Sequence, residues 1–336
     1  MNARNSIVII LVVAVGLFFW FSSREEALAV RTFEFTYLTR IPELPAGSEG
    51  LRLWIPLPPS DEHQTISNLT IESPLPFTRE REPEFGNQYI FVQAPLEHHN
   101  GPVEVRLRFR VTRREHRVSV RPVFSVLSAQ ASTTGEFAHF LQPNRLVPLD
   151  GIIGALSQQE TRGLQEPLAK ARAIYNYVVS TMRYDKSGDG WGRGDAIYAC
   201  NTKRGNCTDF HSLFIGMIRA AGIPARFEIG FPLPGKQTVG EIPGYHCWAQ
   251  FYLDGVGWIP VDASEAWKNP AQRDYFFGAH DQHRVLFTTG RDIRLAPPQQ
   301  GEPLNYFIYP YAEVDGKEFT GIETRFSFRD LPAPPD

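Results

Sequence analysis

Three residues of the types that carry out thiol acyl transfer follow one another along the chain, namely Cys207, His246 and Asp262. An amphipathic pattern begins at Cys207 and ends at Gly222, so we predict a helix with the cysteine at its start. The free N–H groups of a helix N-terminus favour a thiolate and can hold a developing oxyanion. Cys207 is therefore predicted to be a nucleophile that lies beside part of its own oxyanion hole.

His246 and Asp262 lie on a predicted β-hairpin. Strands are expected from His246 to Leu253 and from Gly257 to Asp262, with an Asp-Gly turn between them. Folding of the hairpin brings the beginning of the first strand beside the end of the second. We predict that His246 acts as general base and then acid, and that Asp262 orients its imidazole.

Other residues near the cysteine have alternative interpretations. Zinc could be held by Cys200, Cys207, His211 and Cys247 by residue type, but the spacing of the first two differs from the usual short ligand pairs. No metal or cofactor is predicted, and His211 is expected to be a packing or supporting residue. Because the chain has 3 cysteines, two possibilities stay open: Cys200 pairs with Cys247, or all three thiols are unpaired.

A glycine-rich stretch, GDGWGRG at 188–194, precedes the cysteine. No predicted strand comes before it and no Lys-Ser/Thr pair follows, so the stretch lacks the context of a phosphate-binding loop. We predict a mobile loop over the site. Trp191 in this loop is a candidate aromatic contact for the substrate.

Composition and charge patterning limit the choice of partners. The chain has 34 Lys and Arg against 37 Asp and Glu, a formal net charge of −3, which does not indicate nucleic-acid binding. Arginines at 106, 108 and 110 alternate with apolar residues between Val103 and Val111, as the solvent face of a half-buried strand does. No nucleic-acid partner is predicted.

The N-terminal region contains an uncharged apolar run from Ser6 to Phe21. Its length lies between the apolar part of a cleaved signal peptide and a full membrane span. We predict an uncleaved signal anchor over residues 1–26, with cleavage near Ala29 as the alternative. Positive charge before the run and net acidic charge after it predict a cytoplasmic N-terminus and a body in the periplasm or outside the cell.

The remaining pattern predicts an α+β fold with two domains. Short strands separated by prolines over residues 27–125 favour an antiparallel β-sandwich. Residues 126–330 include a helix beginning at Pro167 and are predicted to form the catalytic domain, with C-terminal strands completing its core. Residues 331–336 are expected to be a frayed tail.

The site pattern resembles the transglutaminase-like superfamily, whose core is that of a papain-like cysteine proteinase. The matching motifs are Gly205-x-Cys207 at a helix start, Ala221-Gly222-Ile223-Pro224-Ala225-Arg226, His246-x-Trp248 and Gly257-Trp258-x-Pro260-x-Asp262. The gaps of 39 and 16 residues between the three site residues are far shorter than in papain-type proteases. The resemblance is strong over 170–264 and weak in the β-rich region before it, where WIPLP at 54–58 is similar.

The resemblance implies that Cys207, His246 and Asp262 are nucleophile, base and orienting residue. It also implies a role for Tyr184, which stands where transglutaminases have an aromatic oxyanion donor; a buried tyrosine bonded to the backbone is the alternative. The expected activity is hydrolysis or transamidation of peptide or protein amides at the cell envelope, through an acyl-enzyme. An inactive descendant that uses the cleft for binding or assembly is the alternative function.

Overall fold

The computed structural model describes residues 28–96, 101–118 and 135–332. The apolar run at 6–21, and with it the predicted anchor, lies outside these ranges. Within them, no helix has both the length and the apolar character needed to cross a bilayer.

Five helices and eighteen strands make up the described part. The helices are α1 (Gly151–Glu160), α2 (Pro167–Thr181), α3 (Ala196–Thr202), α4 (Cys207–Ala220) and α5 (Ala263–Lys268), with 3₁₀ turns at Gly135–Leu141 and Pro270–Gln272. The strands before α1 are β1 (Val30–Ile41), β2 (Gly50–Leu57), β3 (Gln64–Glu72), β4 (Phe77–Arg81), β5 (Gln88–Pro95), β6 (Val103–Arg114) and β7 (His116–Arg117). Those around the site are β8 (Arg183–Tyr184), β9 (Arg204–Gly205), β10 (Ala225–Pro232), β11 (Val239–Glu241), β12 (His246–Leu253), β13 (Gly257–Val261), β14 (Ala279–His280) and β15 (Arg284–Thr289). The last are β16 (Tyr311–Val314), β17 (Lys317–Glu318) and β18 (Glu323–Asp330).

Fourteen of these strands form three antiparallel sheets, and the other four form the pairs β7-β14 and β8-β9. Sheet I has the order β11-β18-β1-β6-β3, sheet II has β17-β16-β2-β5-β4, and sheet III has β13-β12-β10-β15. Buried side chains of all three sheets and of α4 belong to one continuous hydrophobic core. The fold is therefore α+β, as predicted.

The period-two pattern of β6 is confirmed. Val103, Val105, Leu107, Phe109 and Val111 are all buried, while arginines 108 and 110 are exposed. Burial of one face and solvation of the other is what alternating residues of an antiparallel strand produce. The pattern ends at Arg113, whose guanidinium is buried.

The C-terminal strands differ from their predicted place. β18 pairs with β1, with Phe328 opposite Phe35, and β16 pairs with β2, so these strands complete sheets I and II. They were expected to complete the core of the catalytic segment. The pairing buries Phe326 against Tyr37 of β1 and also buries Phe328, in a long-range register that local patterns do not reveal. The domain limits 27–125 and 126–330 stay predictions.

Helix α4 is the element that positions the site. All its residues from Cys207 to Arg219 are buried, because it packs against α1, α2, α3 and β12. A helix surrounded in this way is held on every side, so its first turn has a fixed position relative to sheet III. α1, which covers one side of it, was not predicted, because its amphipathic signal is weak and only Ile153 and Ser157 are buried.

Candidate active site

The first turn of α4 leaves its N-terminus open towards the site. Asn206 caps the helix: its Oδ1 accepts the Thr208 N–H at 2.9 Å, and Asp209 Oδ2 accepts the Asn206 N–H at 2.9 Å. The Cys207 N–H is one of the N-terminal donors that have no acceptor within a helix. Cys207 thus combines a thiol and a backbone donor on one turn, as the sequence predicts.

Gly205 is required by the same turn. It has a φ of +151°, and a Cβ there would overlap the Asp209 carboxylate. This close approach of backbone to carboxylate explains the glycine in the Gly-x-Cys motif.

Tyr184 is brought to the cysteine by a short parallel ladder. β8 pairs with β9, with Tyr184 opposite Gly205, two residues before Cys207. Its half-buried ring packs against Phe210 and Trp267 at centroid distances of 6.1 and 6.4 Å. Burial, and next the negative charge of Cys207, raise the pKa of the Tyr184 phenol, so the hydroxyl keeps a proton that it can donate.

His246 and Asp262 meet across the predicted hairpin. β12 and β13 pair as expected, and His246 Nε2 lies 2.7 Å from Asp262 Oδ2. Asp262 caps α5, and its Oδ1 accepts the Glu265 N–H at 3.0 Å and the Ser264 hydroxyl at 3.1 Å. These bonds fix the carboxylate, which in turn fixes the imidazole and leaves Nδ1 as the nitrogen for the thiol.

The thiol and the imidazole favour an ion pair. Burial raises the pKa of Cys207, but hydrogen bonds with Cys247 and His246 and the charge of His246 outweigh it and hold that pKa well below its ordinary value. Burial lowers the pKa of His246, yet the charge of Asp262 and the hydrogen bonds to Asp262 and Cys207 raise it to about 10. Near neutral pH the pair is therefore a thiolate and an imidazolium.

Arg284 is part of this cluster, although no local sequence pattern points to it. Its Nη1 lies 3.1 Å from Asp262 Oδ2, its Nη2 lies 3.3 Å from Asp281 Oδ2, and its guanidinium lies over the Trp248 ring at 4.8 Å. Burial raises the pKa of Asp262, but the charge of His246, its hydrogen bond, and then Arg284 hold it well below its ordinary value. Asp262 is thus a carboxylate with two cationic partners.

His211 contacts the same groups in a neutral form. Its Nε2 accepts the Ala263 N–H at 3.1 Å, so the ring proton is on Nδ1, which donates to Cys207 O at 2.8 Å. Its Nε2 is 3.6 Å from Asp262 Oδ1, and burial lowers its pKa. The supporting role predicted for His211 remains the better interpretation, because neither nitrogen is left for proton transfer with the thiol.

The glycine-rich loop at 188–194 is held against α4 by hydrogen bonds. The buried Asp209 carboxylate accepts two backbone N–H bonds from the loop at 2.7 and 3.0 Å, and the buried Arg291 donates to the Gly194 carbonyl at 2.9 Å. These bonds fix the second half of a loop that we expected to be mobile. Trp191 is half-buried there, and its contact with substrate stays a prediction.

All three cysteines are free and buried, so Cys200 does not pair with Cys247. Cys207 is only 1% exposed, which restricts its contact with solvent. In the described ranges, no group of three or more His, Cys, Asp or Glu side chains has the geometry of a metal site.

Comparison with known proteins identifies the segment that carries this geometry. Residues 154–263, which include the three candidate site residues, match the transglutaminase-like superfamily. The chain is 28% identical over 317 residues to an uncharacterized protein of Haemophilus influenzae, covering 84% of this chain and 86% of that protein. It is also 27% identical over 117 residues to the uncharacterized protein YebA of Bacillus subtilis, covering 31% of this chain and 16% of YebA.

A solved structure from another bacterium is similar over most of the chain. The crystal structure of a proposed cysteine protease from Cytophaga hutchinsonii has a TM-score of 0.58 and 17% sequence identity, covering 92% of this chain and 94% of that one. At this identity the likeness concerns the fold alone. Together with the family match, it confirms the predicted transglutaminase-like fold.

Proposed function

We propose that this chain, whose residues 154–263 form a transglutaminase-like domain, is a cysteine-dependent amide hydrolase or acyltransferase of the cell envelope. The observation that carries the proposal is the buried group of three side chains, a thiol, an imidazole and a carboxylate. Its members are Cys207 at the start of α4, His246, whose charge lowers the pKa of the Cys207 thiol, and Asp262, whose Oδ2 lies 2.7 Å from His246 Nε2.

The first half-reaction begins from the ion pair. The Cys207 thiolate attacks the carbonyl carbon of a peptide or protein amide, and the negative charge moves to the carbonyl oxygen. The C–N bond then breaks, and the proton on His246 Nδ1 goes to the leaving amine. Because the proton is already on the imidazole, His246 acts first as an acid, whereas the sequence suggested a base.

The second half-reaction releases the acyl group. Neutral His246 takes a proton from water or from an amine, the oxygen or nitrogen attacks the thioester carbon, and Cys207 leaves as a thiolate. Asp262 holds the imidazole and favours its charged form throughout. Water gives hydrolysis and an amine gives transamidation.

The oxyanion of both tetrahedral intermediates requires donors in fixed positions. The Cys207 N–H and the Tyr184 hydroxyl are our candidates, because β8 lies beside the residue that precedes the helix cap. The Tyr184 proton is retained at neutral pH for the reasons given above, so the phenol can donate to a negative oxygen.

The envelope location is supported by the apolar run at 6–21 and by the charges around it. A tethered enzyme with its body in the periplasm would act on peptides or proteins of that compartment. Labelling of a periplasmic cysteine tag by a membrane-impermeant maleimide tests this location. If the tag were protected from the maleimide in cells whose outer membrane alone is permeabilised, this location would be contradicted.

Trapping of the acyl-enzyme tests the activity. The full chain is mixed with peptides from bacterial envelopes, quenched in acid and digested, and the mass of the Cys207 peptide is measured. We expect an acyl adduct on Cys207 in the wild type and in Cys200→Ala, and strongly reduced adduct in His246→Ala, which keeps the thiol but removes its partner. An unmodified Cys207 with every peptide fraction, in a folded protein, would contradict the proposal.

Addition of a fluorescent primary amine to the same mixture separates the two routes. Transamidation transfers the acyl group to the amine and yields a fluorescent amide, whereas hydrolysis leaves the amine unchanged. Cys207→Ala is the blank for both products.

A further inference from the structure

Tyr245, the residue before His246, contacts the start of α4. Its hydroxyl lies 2.9 Å from the Thr208 hydroxyl and accepts a hydrogen bond from Asn206 Nδ2 at 3.1 Å. Asn206 and Thr208 are the two chain neighbours of Cys207. The Tyr245 hydroxyl therefore joins a neighbour of the proposed acid to both neighbours of the proposed nucleophile.

The two partners of this hydroxyl are themselves held in place. Asn206 caps α4 through Oδ1, which accepts the Thr208 N–H at 2.9 Å, so Nδ2 is the end of the amide that is left for Tyr245. Thr208 Oγ1 also accepts the Cys247 thiol, whose Sγ is 3.9 Å away. Both residues that flank His246 along the chain thus contact the same hydroxyl on the first turn of α4.

The ring of Tyr245 is held by two tyrosines of the segment before β16. Tyr306 and Tyr309 pack on it at centroid distances of 5.6 and 6.0 Å, within the range of stabilising aromatic pairs. Burial, and next the charge of Cys207, raise the pKa of the Tyr245 phenol, so the hydroxyl keeps its proton while the thiol titrates. The contact with α4 therefore does not change through its own ionisation.

We infer that Tyr245 is a positioning residue for the proposed reaction, whose hydroxyl holds the strand end that carries His246 against the helix turn that carries Cys207. The inference rests on the proposed function and adds to it the contact that sets the separation of the two groups. A thiolate and an imidazolium in a buried site each depend on the charge of the other, so a larger separation weakens both charged forms. Without the Tyr245 hydroxyl, the ion pair forms only at a higher pH.

The pH dependence of Cys207 alkylation by iodoacetamide, measured by peptide mass spectrometry on the full chain, tests this inference without any substrate. Tyr245→Phe removes only the hydroxyl, and we expect the pH midpoint to rise by about 0.5–1 unit, the pKa change that corresponds to one hydrogen bond. Below the midpoint, the alkylation rate should fall about three- to tenfold. A wild-type midpoint in this variant would overturn the inference.

Thr208 allows the same contact to be tested from the helix. Thr208→Val removes the hydroxyl at nearly constant shape and should also raise the midpoint, whereas Thr208→Ser keeps the hydroxyl and should keep the wild-type midpoint within about 0.2 unit. When Tyr245→Phe and Thr208→Val are combined, the midpoint should be close to that of Tyr245→Phe alone, because the bond is lost only once. Fully additive shifts would overturn the inference, since they indicate two independent effects on packing.

Tyr89→Phe is the matched control for Tyr245→Phe. The Tyr89 hydroxyl also has two hydrogen bonds, to the carbonyl and the N–H of Ala296 at 2.8 and 2.7 Å, but the ring belongs to sheet II and to a hydrophobic cluster separate from the main core. Urea unfolding should show that both variants lose stability, while only Tyr245→Phe changes the midpoint. An equal midpoint shift in Tyr89→Phe would overturn the inference, because it would indicate a general effect of lower stability.

The acyl-trapping experiment separates this inference from the proposed function. If no peptide fraction gives an acyl adduct and the alkylation shifts are as expected, the proposed function is overturned and the positioning contact stands. If an adduct forms and the midpoints of Tyr245→Phe and Thr208→Val equal that of the wild type, the inference is overturned and the proposed function stands.

Discussion

Two buried histidines lie on either side of Asp262, and only one of them is charged. His246 Nε2 is 2.7 Å from a carboxylate oxygen, whereas His211 Nε2 is 3.6 Å from the carboxylate and accepts a backbone N–H. The pKa of His246 is raised to about 10, and burial lowers that of His211. For the pKa of a buried histidine, a short hydrogen bond to the carboxylate therefore has a larger effect than proximity alone. The bond offsets the free-energy cost of burying the imidazolium.

The contrast also explains the separate tasks of the two rings. In the proposed reaction, His246 Nδ1 carries the proton that goes to the leaving amine. His211 has a fixed tautomer, and it connects Cys207 O on α4 with the Ala263 N–H after β13. One histidine is placed for proton transfer, and the other joins the elements that carry the site.

The largest effect is expected for Asp262→Asn, which removes the charge that distinguishes His246 from His211. The pKa of His246 should fall from about 10 towards its ordinary value, the thiolate fraction should fall with it, and turnover should decrease about 10⁴-fold. The measurements are the rate of single-turnover acylation and the pH midpoint for alkylation of Cys207 by iodoacetamide, called its alkylation midpoint below.

Asp281→Asn is the matched control for Asp262→Asn. It also removes one carboxylate from Arg284 but does not touch the imidazole. We expect the control to keep the alkylation midpoint. A similar loss of turnover in both variants, with an unchanged midpoint, would indicate that the charge on Arg284 and not that on His246 governs the rate.

Tyr184→Phe tests the oxyanion site independently of the difference in charge between His246 and His211. Loss of one donor costs about 3 kcal/mol, so acylation should slow by about 10²-fold. The alkylation midpoint of Cys207 should not change, because no charge is removed. A wild-type acylation rate in this variant would remove Tyr184 from the proposed oxyanion hole.

The pH dependence of acylation shows whether His246 acts first as an acid or first as a base. His246 has a raised pKa, so its proton is present at neutral pH and is lost as the pH rises through about 10. With an anilide of the identified acyl donor as substrate, the acylation rate should be constant from about pH 7 to 9. It should then fall about tenfold per pH unit, as for a single required proton. The corresponding aryl ester, whose leaving group needs no proton, should not fall.

The raised pKa also adds stability, which is fully present below about pH 6.5 and is lost progressively as the pH rises to about 10, so circular dichroism must accompany these rates. A rate that rises through pH 6.5 with both donors would instead indicate a neutral imidazole that acts as base.

The smallest effect on turnover is expected for His211→Asn. The amide N–H₂ can replace Nδ1–H as donor to Cys207 O, but the Ala263 N–H loses its acceptor. We expect less than about tenfold change in acylation, within the range of an indirect effect, and a loss of about 1–3 kcal/mol in the free energy of unfolding. Urea unfolding measures the second quantity. A 100-fold slower acylation with a shifted Cys207 midpoint would show that the two histidines share the proton.

The sequence allowed prediction of the parts of the site that depend on local signals. A turn and cap before Cys207 and a glycine after Ala221 define α4, and β12 has the predicted limits of His246 to Leu253. An Asp-Gly turn then determines which residues the hairpin brings together. These features depend on neighbouring residues, so they can be read without knowledge of the fold.

The remaining parts of the site depend on contacts between distant segments. Arg284 reaches Asp262 because β15 pairs with β10, and Asp209 holds the glycine-rich loop because Gly205 leaves room for its carboxylate. Neither residue has a local pattern that differs from an ordinary surface charge. The same reason applies to β16 and β18, whose partners lie at the other end of the chain.

The competition of the three thiols for a limiting amount of iodoacetamide tests the central claim most directly. Between pH 5 and 9, Cys207 should be labelled far faster than Cys200 and Cys247, with a midpoint well below about 8.5, the value of a free thiol. All three cysteines are buried, so exposure alone does not favour Cys207. Slow and equal labelling of all three, with a midpoint near that of a free thiol, would contradict a thiolate paired with His246.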